Sequence, residues 1–190
     1  MITYKQVDST FFPQYDQIPM KFNASSYYRI EKPDRGLGGF ALIETPIEPF
    51  EKDFCAHGET VSRWKQFDIS NWAFFMAFDG DKPIGAATVA SRTKEINMLS
   101  SRDDLAVLWD IRVNDAYKGQ GVGQRLFDMA VEWARSQGLV QMKIECQNNN
   151  VAACKFYHKQ GAVLSAIDEY AYYNEPEYRH EAMFIWYLDV

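Results

Sequence analysis

Three glycines at alternate positions, Gly119, Gly121 and Gly123, stand between an apolar run ending at Val113 and an amphipathic pattern starting at Val122. This junction limits what the chain can fold into more than any other stretch. "LAVLWDIRV", Leu105 to Val113, reads as a strand. After the glycines, Val122, Leu126, Met129 and Trp133 fall on one stripe of a helix. Gly138 is placed to end that helix as a left-handed cap. The first four N–H groups of a helix lack internal acceptors and lie at the positive end of its dipole. A bare loop at that end lets a phosphate reach the amides with no Cβ in the way. A ligand-free turn of positive φ needs only one glycine. Three point to a phosphate cradle, with Lys118 as an added cation.

The spacing excludes two nucleotide classes. A dinucleotide fingerprint needs a further glycine three residues after its second, and those places hold Gln124 and Leu126. A P-loop needs Gly-Lys-Ser/Thr, which is absent here.

At 190 residues and 47% hydrophobic, the chain is sized for one substantial core, and a single domain over 1–190 is expected. The formal charge of −6, with no basic block, argues against a nucleic-acid backbone reader and fits a cationic small ligand. Cys55, Cys146 and Cys154 show no CxxC spacing and read as reduced thiols of a cytoplasmic protein. His57, His158 and His180 form no metal-binding array, so no metal is expected. No signal-peptide pattern or membrane-length apolar run is present, and no membrane partner is expected.

"ITYKQV" reads as a first strand, "PDRGLGG" as a turn and "FALIET" as a strand broken by Pro46 and Pro49. "WAFFMAF" and "PIGAATVAS" flank an Asp79-Gly80 hairpin turn. "VQMKIEC" is a strand, and "NNNVAACKFYHKQG" a loop and helix capped by Gly161. "AVLSAIDEYAYY" and "EAMFIWYLDV" are expected to be two antiparallel strands. This order predicts a mixed α/β sheet, with a variable segment at 1–70 and the core at 71–190.

Lys118-Gly119-Gln120-Gly121-Val122-Gly123 resembles the Arg/Gln-x-x-Gly-x-Gly/Ala signature of the GNAT superfamily of acyl-CoA-dependent N-acetyltransferases. Lys118 stands where Arg is usual, keeping charge without the bidentate fork. Asn150, Tyr157 and Gly161 are similar to the family's Asn…Tyr-x-x-x-Gly-Phe element, with Ala162 in the Phe place. "WDIRVNDAYKGQGVG", "IECQNNNVAACKFYHKQGA" and "AMFIWYL" resemble the streptothricin acetyltransferase subgroup, as do "YYRIEKP" and "LGGFALIETPIEPFEKDF".

The resemblance implies a GNAT-like fold, with a mostly antiparallel sheet splayed at the coenzyme A site and helices on both faces. It implies acetyl-CoA as cofactor, with pyrophosphate on the loop from Lys118 through Gly119, Gln120, Gly121, Val122, Gly123 and Gln124. It also implies pantetheine pairing along Ile111, Arg112 and Val113, an Asn150 contact, and Tyr157 near the sulfur as proton donor. Asn150 is equally an N-cap for the following helix. The acceptor implied is a primary amine, most specifically the β-lysine part of streptothricin. A polyamine, an aminoglycoside or a protein N-terminus remains open, as does a non-catalytic acyl-CoA-binding module.

Acetyl transfer needs a neutral amine. With a lysine-like pKa near ~10.4, neutrality at pH 7 costs about 4.6 kcal/mol, ~3.4 units at ~1.36 kcal/mol each. Asp110 and Glu145 are carboxylates inside otherwise apolar strands, expensive unless paired or solvated in a cleft. They are candidates to bind the ammonium and relay its proton, unless period-2 alternation simply sets them on a wet face. Asp168, Glu169, Tyr170, Tyr172 and Tyr173 form an acidic-aromatic run that suits a cationic side chain, or else a strand with wet tyrosines. Trp72, Trp109 and Trp186 are expected in the core, and Cys146 and Cys154 as buried thiols. A homodimer through the last strands is left open.

Overall fold

The computed structural model describes residues 1–56 and 58–190, so the sequence expectation for His57 lies outside the described residues. Contacts divide the chain into two compact units, Met1–Lys21 with Asp53–Ile144 and Leu188–Val190, and Phe22–Lys52 with Glu145–Tyr187.

In the first unit, β1 (Ile2–Val7), β4 (Ala73–Asp79), β5 (Lys82–Ser91) and β6 (Leu105–Val113) form consecutive antiparallel pairs. β7 (Gln141–Gln147) joins β6 in parallel, in register from Leu105↔Gln141 to Leu108↔Ile144. β4 and β5 are buried nearly throughout, which is why both read as continuous apolar runs instead of alternating ones. Their hairpin turns one residue later than expected. Asp79 pairs with Lys82, and Gly80 takes φ 60° as the first of two loop residues. The register between β5 and β6 skips Trp109, since Thr88 faces Asp110 while Val89 faces Leu108. That bulge is invisible to periodicity.

Helix α2 (Val122–Ser136) packs on β4, β5 and β6. It buries Val122, Leu126, Phe127, Ala130, Val131 and Ala134, so the buried face is rotated from the expected stripe and leaves Met129 and Trp133 half-buried. Gly85 permits the close approach. A Cβ there would stand 2.9 Å from Val122 Cγ1 and 3.0 Å from Leu126 Cδ1. The helix ends in a Schellman motif, with Gly138 N–H bonded to Arg135 O and Leu139 N–H to Ala134 O. The short α1 (Phe12–Tyr15) buries Phe12 and Tyr15 against an aromatic cluster that includes Trp64 and Phe74.

The second unit holds a two-stranded ribbon of β2 (Lys21–Glu31) and β3 (Ala41–Asp53), helix α3 (Val151–Lys159), and the antiparallel pair β8 (Val163–Asp168) and β9 (Met183–Asp189). β2 gave no sequence signal, and two expectations are corrected here. β3 runs through Pro46 and Pro49. In a two-stranded ribbon every second N–H points away from the partner strand, so at one of these two positions, which lie three apart, a missing donor breaks no ladder bond. The expected strand over 162–173 stops at Asp168, whose Oδ1 accepts the Tyr170 N–H at 2.8 Å and turns the chain. Helix α3 ends as α2 does, with Gly161 N–H on His158 O and Ala162 N–H on Tyr157 O. Among the described residues, no helix is long and apolar enough to cross a membrane and no cluster of acidic, His or Cys side chains could hold a metal.

Candidate functional site

The glycine loop is expected to cradle an anion, and hydrogen bonds within it fix its shape. Asn114 Oδ1 accepts the Ala116 N–H at 3.1 Å and starts a 3-10 turn at Asp115–Tyr117. Gln120 Nε2 donates to Ala116 O at 2.8 Å and braces the loop from within. Lys118 pairs with Asp115 at 2.6 Å and donates to Lys21 O, so its ammonium ties the loop together. Gly119 and Gly121 hold φ of +75° and +84°, which only glycine adopts without strain, and a Cβ at either would meet nothing within 4 Å. Gly123 differs. It lies in the first turn of α2 with no left-handed φ, and a Cβ there would make one ordinary contact, 3.5 Å from Val113 Cγ2. Neither conformation nor packing requires glycine at 123. Gly121 caps α2 with no side-chain acceptor, so the helix itself offers the amides of Val122 and Gly123 no acceptor. Bare amides, open space and a fifteen-residue helix dipole fit a diphosphate.

Ile111 and Val113 on β6 are half-buried, whereas Asp110 and Arg112 point into the first unit's core. Arg112 Nε donates to Asp110 Oδ1 at 2.9 Å and Arg112 Nη2 to Oδ2, a bidentate pair with side chains only 5% and 3% exposed. Tyr15 Oη donates to Asp110 Oδ1 at 2.9 Å, and Arg112 Nη1 reaches Ile18 O at 3.2 Å. The Tyr15 phenol pKa is pushed well up, first by burial and then by the Asp110 charge. The Arg112 pKa is raised although burial opposes it, because Asp110 sits beside the guanidinium. Asp110 is therefore a paired carboxylate whose two oxygens are already engaged.

In the second unit, Glu145 on β7 is half-buried and its Oε1 accepts from Tyr172 Oη at 2.6 Å. Gln147 Nε2 donates to the same phenol oxygen at 3.2 Å. Burial, then the Glu145 charge, pushes the Tyr172 phenol up, so it remains a proton-bearing donor. Asn150 caps α3, with Oδ1 accepting the Ala153 N–H at 3.2 Å. Tyr157 is buried near the end of α3, with its ring edge against Phe156. Of the acidic-aromatic run, Asp168 is used in its own turn, Tyr170 is 74% exposed and only Tyr172 meets a candidate carboxylate.

Sequence reasoning missed a second polar group in this unit. Glu181, buried, accepts from Lys52 Nζ through Oε2 and from Asn149 Nδ2 at 2.9 Å through Oε1. Lys52 also lies 4.1 Å from the Tyr178 ring centroid. Asn148 exchanges backbone and side-chain bonds with Tyr28 and Ala182. The three consecutive Asn were the available signal, but nothing marked Lys52 or Glu181 as buried. Trp72 and Trp186 are buried, while Trp109 is half-exposed. Cys146 and Cys154 are buried free thiols with sulfurs 3.5 Å apart. The hydrogen bond with Cys154 and burial push the Cys146 thiol up, away from nucleophilic use.

Residues 40–162 match the Acetyltransferase (GNAT) family. A streptothricin acetyltransferase from Escherichia coli is 30% identical over 149 residues, covering 78% of this chain and 76% of the relative. Two crystal structures share the fold. A nourseothricin acetyltransferase aligns with TM-score 0.78 and 22% identity, over 99% of this chain and 98% of that one. A candidate streptothricin acetyltransferase of Bacillus anthracis str. Ames, solved with acetyl coenzyme A, aligns with TM-score 0.77 and 24% identity over 100% of this chain and 98% of that one. The chain belongs to the GNAT family of acetyltransferases and is, by that membership, an acetyl-CoA-dependent N-acetyltransferase.

Proposed function

We propose that the protein, acting over residues 1–190 as one N-acetyltransferase domain, inactivates streptothricin by acetylating an amine of its β-lysine part. The observation that bears most on the cofactor half of this reading is Gly123, a glycine that the chain's own geometry does not need. The acceptor half rests on the likeness to the Escherichia coli streptothricin acetyltransferase.

Acetyl-CoA supplies the acyl group as a thioester. The loop from Lys118 to Gln124 would hold its diphosphate, with Gly121 and Gly123 leaving the α2 amides bare, while Ile111 to Val113 would align the pantetheine. The backbone N–H near Val113 would polarise the thioester carbonyl. Of the two strand carboxylates, the pairing of Asp110 with Arg112 favours Glu145 as the group that meets the acceptor. Glu145, through water, would take one proton from the ammonium so that the freed lone pair forms the new C–N bond. A second N–H proton would pass to solvent as the tetrahedral adduct collapses and the C–S bond breaks. Tyr157 would give its phenolic proton to the departing thiolate and regain one from solvent. Asp110 would act at one remove, holding Arg112 and strand β6 in place.

Product mass spectrometry after incubation with acetyl-CoA and a mixture of streptothricin and a polyamine tests the acceptor. A singly acetylated β-lysine fragment is the expected result, and unmodified antibiotic beside an acetylated polyamine would reassign it. Tyr157→Phe should lower kcat about 10²-fold or more with acetyl-CoA affinity nearly unchanged. Equal turnover would remove Tyr157 from the chemistry.

A further inference from the structure

The second unit holds a cleft of about 230 Å³, lined among others by Tyr27, Tyr28, Asn148, Glu169 and Glu181. We propose that this cleft is a cation subsite that grips a second, non-reacting amine of the acceptor. The inference rests on the reading above that the acceptor is a small polyamine-like cation, and it adds where and how such a molecule is selected.

The floor of the cleft is fixed. Tyr28 N–H donates to Asn148 O at 2.8 Å, and Asn148 Nδ2 returns a bond to Tyr28 O at 3.1 Å. Asn148 N–H donates to Ala182 O, and Ala182 N–H to Asn148 Oδ1, both at 2.9 Å. Four bonds through one asparagine lock β2 to the segment entering β9, so the lining residues Tyr28, Asn148 and Ala182 cannot drift. Chain length places the cleft near the chemistry. Asn148 is three residues from Glu145, at most about 10 Å of extended chain.

The charges differ in how available they are. Glu181 is pinned by Lys52 and Asn149, with its side chain 3% exposed. It shapes the field without offering a free oxygen. Among the described residues, Asn149 Oδ1 beside it is buried with no hydrogen-bond partner. Glu169 is the exchangeable group. Its partner Lys32 bonds it at 2.5 Å, but the two side chains are 39% and 34% exposed, and a pair in water is readily replaced by another ammonium. Arg29, also lining the cleft, is occupied by Glu31. The carboxylates of Glu169 and Glu181 and the rings of Tyr27 and Tyr28 line the cleft beside Arg29 and His180. With Lys32 and Lys52 already on the two carboxylates, a ligand ammonium enters by displacing Lys32 from Glu169. At about 230 Å³ the cleft lies below the ~300 Å³ at which whole-ligand pockets begin, a size for an aminoalkyl arm.

A β-lysine arm carries two amines, and acetylation removes charge from only one of them. The other stays an ammonium in both substrate and product, so the cleft binds the two alike. Such uniform binding lowers KM without raising kcat. Glu169→Gln should therefore raise the KM for streptothricin and the product inhibition constant together, about 5- to 10-fold, at unchanged kcat. Lys32→Gln, which removes the internal competitor, should lower both about 2- to 3-fold. A merely structural role moves neither pair in opposite directions. Unchanged constants in both variants, or a kcat loss without a KM change, overturn the proposal. Calorimetry with 1,5-diaminopentane reads the cleft without turnover. Diamine binding that Glu169→Gln abolishes, in a protein that leaves streptothricin unmodified, removes the substrate reading and keeps the subsite. Diamine binding equal in parent and Glu169→Gln removes the subsite.

Discussion

Replacing Gly123 with alanine should make the protein more stable and a poorer binder of acetyl-CoA. The residue lies inside the first turn of α2 without a left-handed φ, and the added methyl would meet only Val113 Cγ2 at 3.5 Å, an ordinary contact. Alanine in a helix is favoured over glycine by roughly 0.5–1 kcal/mol, and a first-turn position takes the lower part of that range. For a chain of this length the expected rise in Tm is about 1–4 °C. The same methyl stands over amides that a diphosphate has to reach. Losing one hydrogen bond to a charged group costs about 1.5–3 kcal/mol, which is roughly 10- to 150-fold in Kd. Differential scanning calorimetry gives the first quantity and titration calorimetry with acetyl-CoA the second. A ligand-free turn predicts the gain in stability with no change in affinity, so a Kd within twofold of the parent refutes the cradle. Gly121→Ala is a poorer test, because its φ of +84° adds a strain of about 1–2 kcal/mol that confounds both readouts.

Gly85→Ala should lower stability by about 1–3 kcal/mol, since its Cβ would press on Val122, Leu126 and Arg112 O at 2.9, 3.0 and 3.3 Å. An unchanged urea midpoint would show that α2 shifts freely. Asp110→Asn leaves the Arg112 charge buried without an anion, and roughly 3–5 kcal/mol of stability should be lost. Chemical denaturation of the purified variant checks this, and parent-like stability would mean that the pair is not a structural tie. The Tyr15 phenol, pushed up by burial and then by Asp110, stays neutral in the folded state after the unfolded chain begins to ionise near pH ~10. Its contribution is therefore full below about pH 10 and declines as pH rises toward the folded pKa. Urea unfolding between pH 8 and 11 should show a steeper fall for the parent than for Tyr15→Phe, and parallel curves would contradict the assignment.

The glycine loop, α2, the β4–β5 hairpin and the β8–β9 pairing were all legible, because each is marked by its own local pattern of apolar and turn residues. β2 was not. "KFNASSYYRIE" alternates poorly, and it holds its place through bonds such as Tyr28 to Asn148, across 120 positions of chain. The prolines of β3 misled for the opposite reason, since the local rule that prolines end strands is weaker in a two-stranded ribbon, where every second N–H points away from the partner. Side-chain state was harder still. Glu145 and Asp110 look alike in sequence as carboxylates in apolar strands. One meets a tyrosine at a half-buried position, and the other is closed off by an arginine two residues away and a tyrosine from the first twenty. Burial of Glu181 with Lys52 joins segments 129 residues apart, and no short-range pattern encodes it.

The clasp formed by Tyr15, Asp110 and Arg112 has a practical corollary. Arg112 also bonds Ile18 O and reaches Met20 Sδ at 3.5 Å, so the opening segment and strand β6 share one set of charges. A chimera that joins a foreign N-terminal segment to this core would leave Asp110 without the Tyr15 hydroxyl and Arg112 without the Ile18 carbonyl, so the two segments have to be exchanged together.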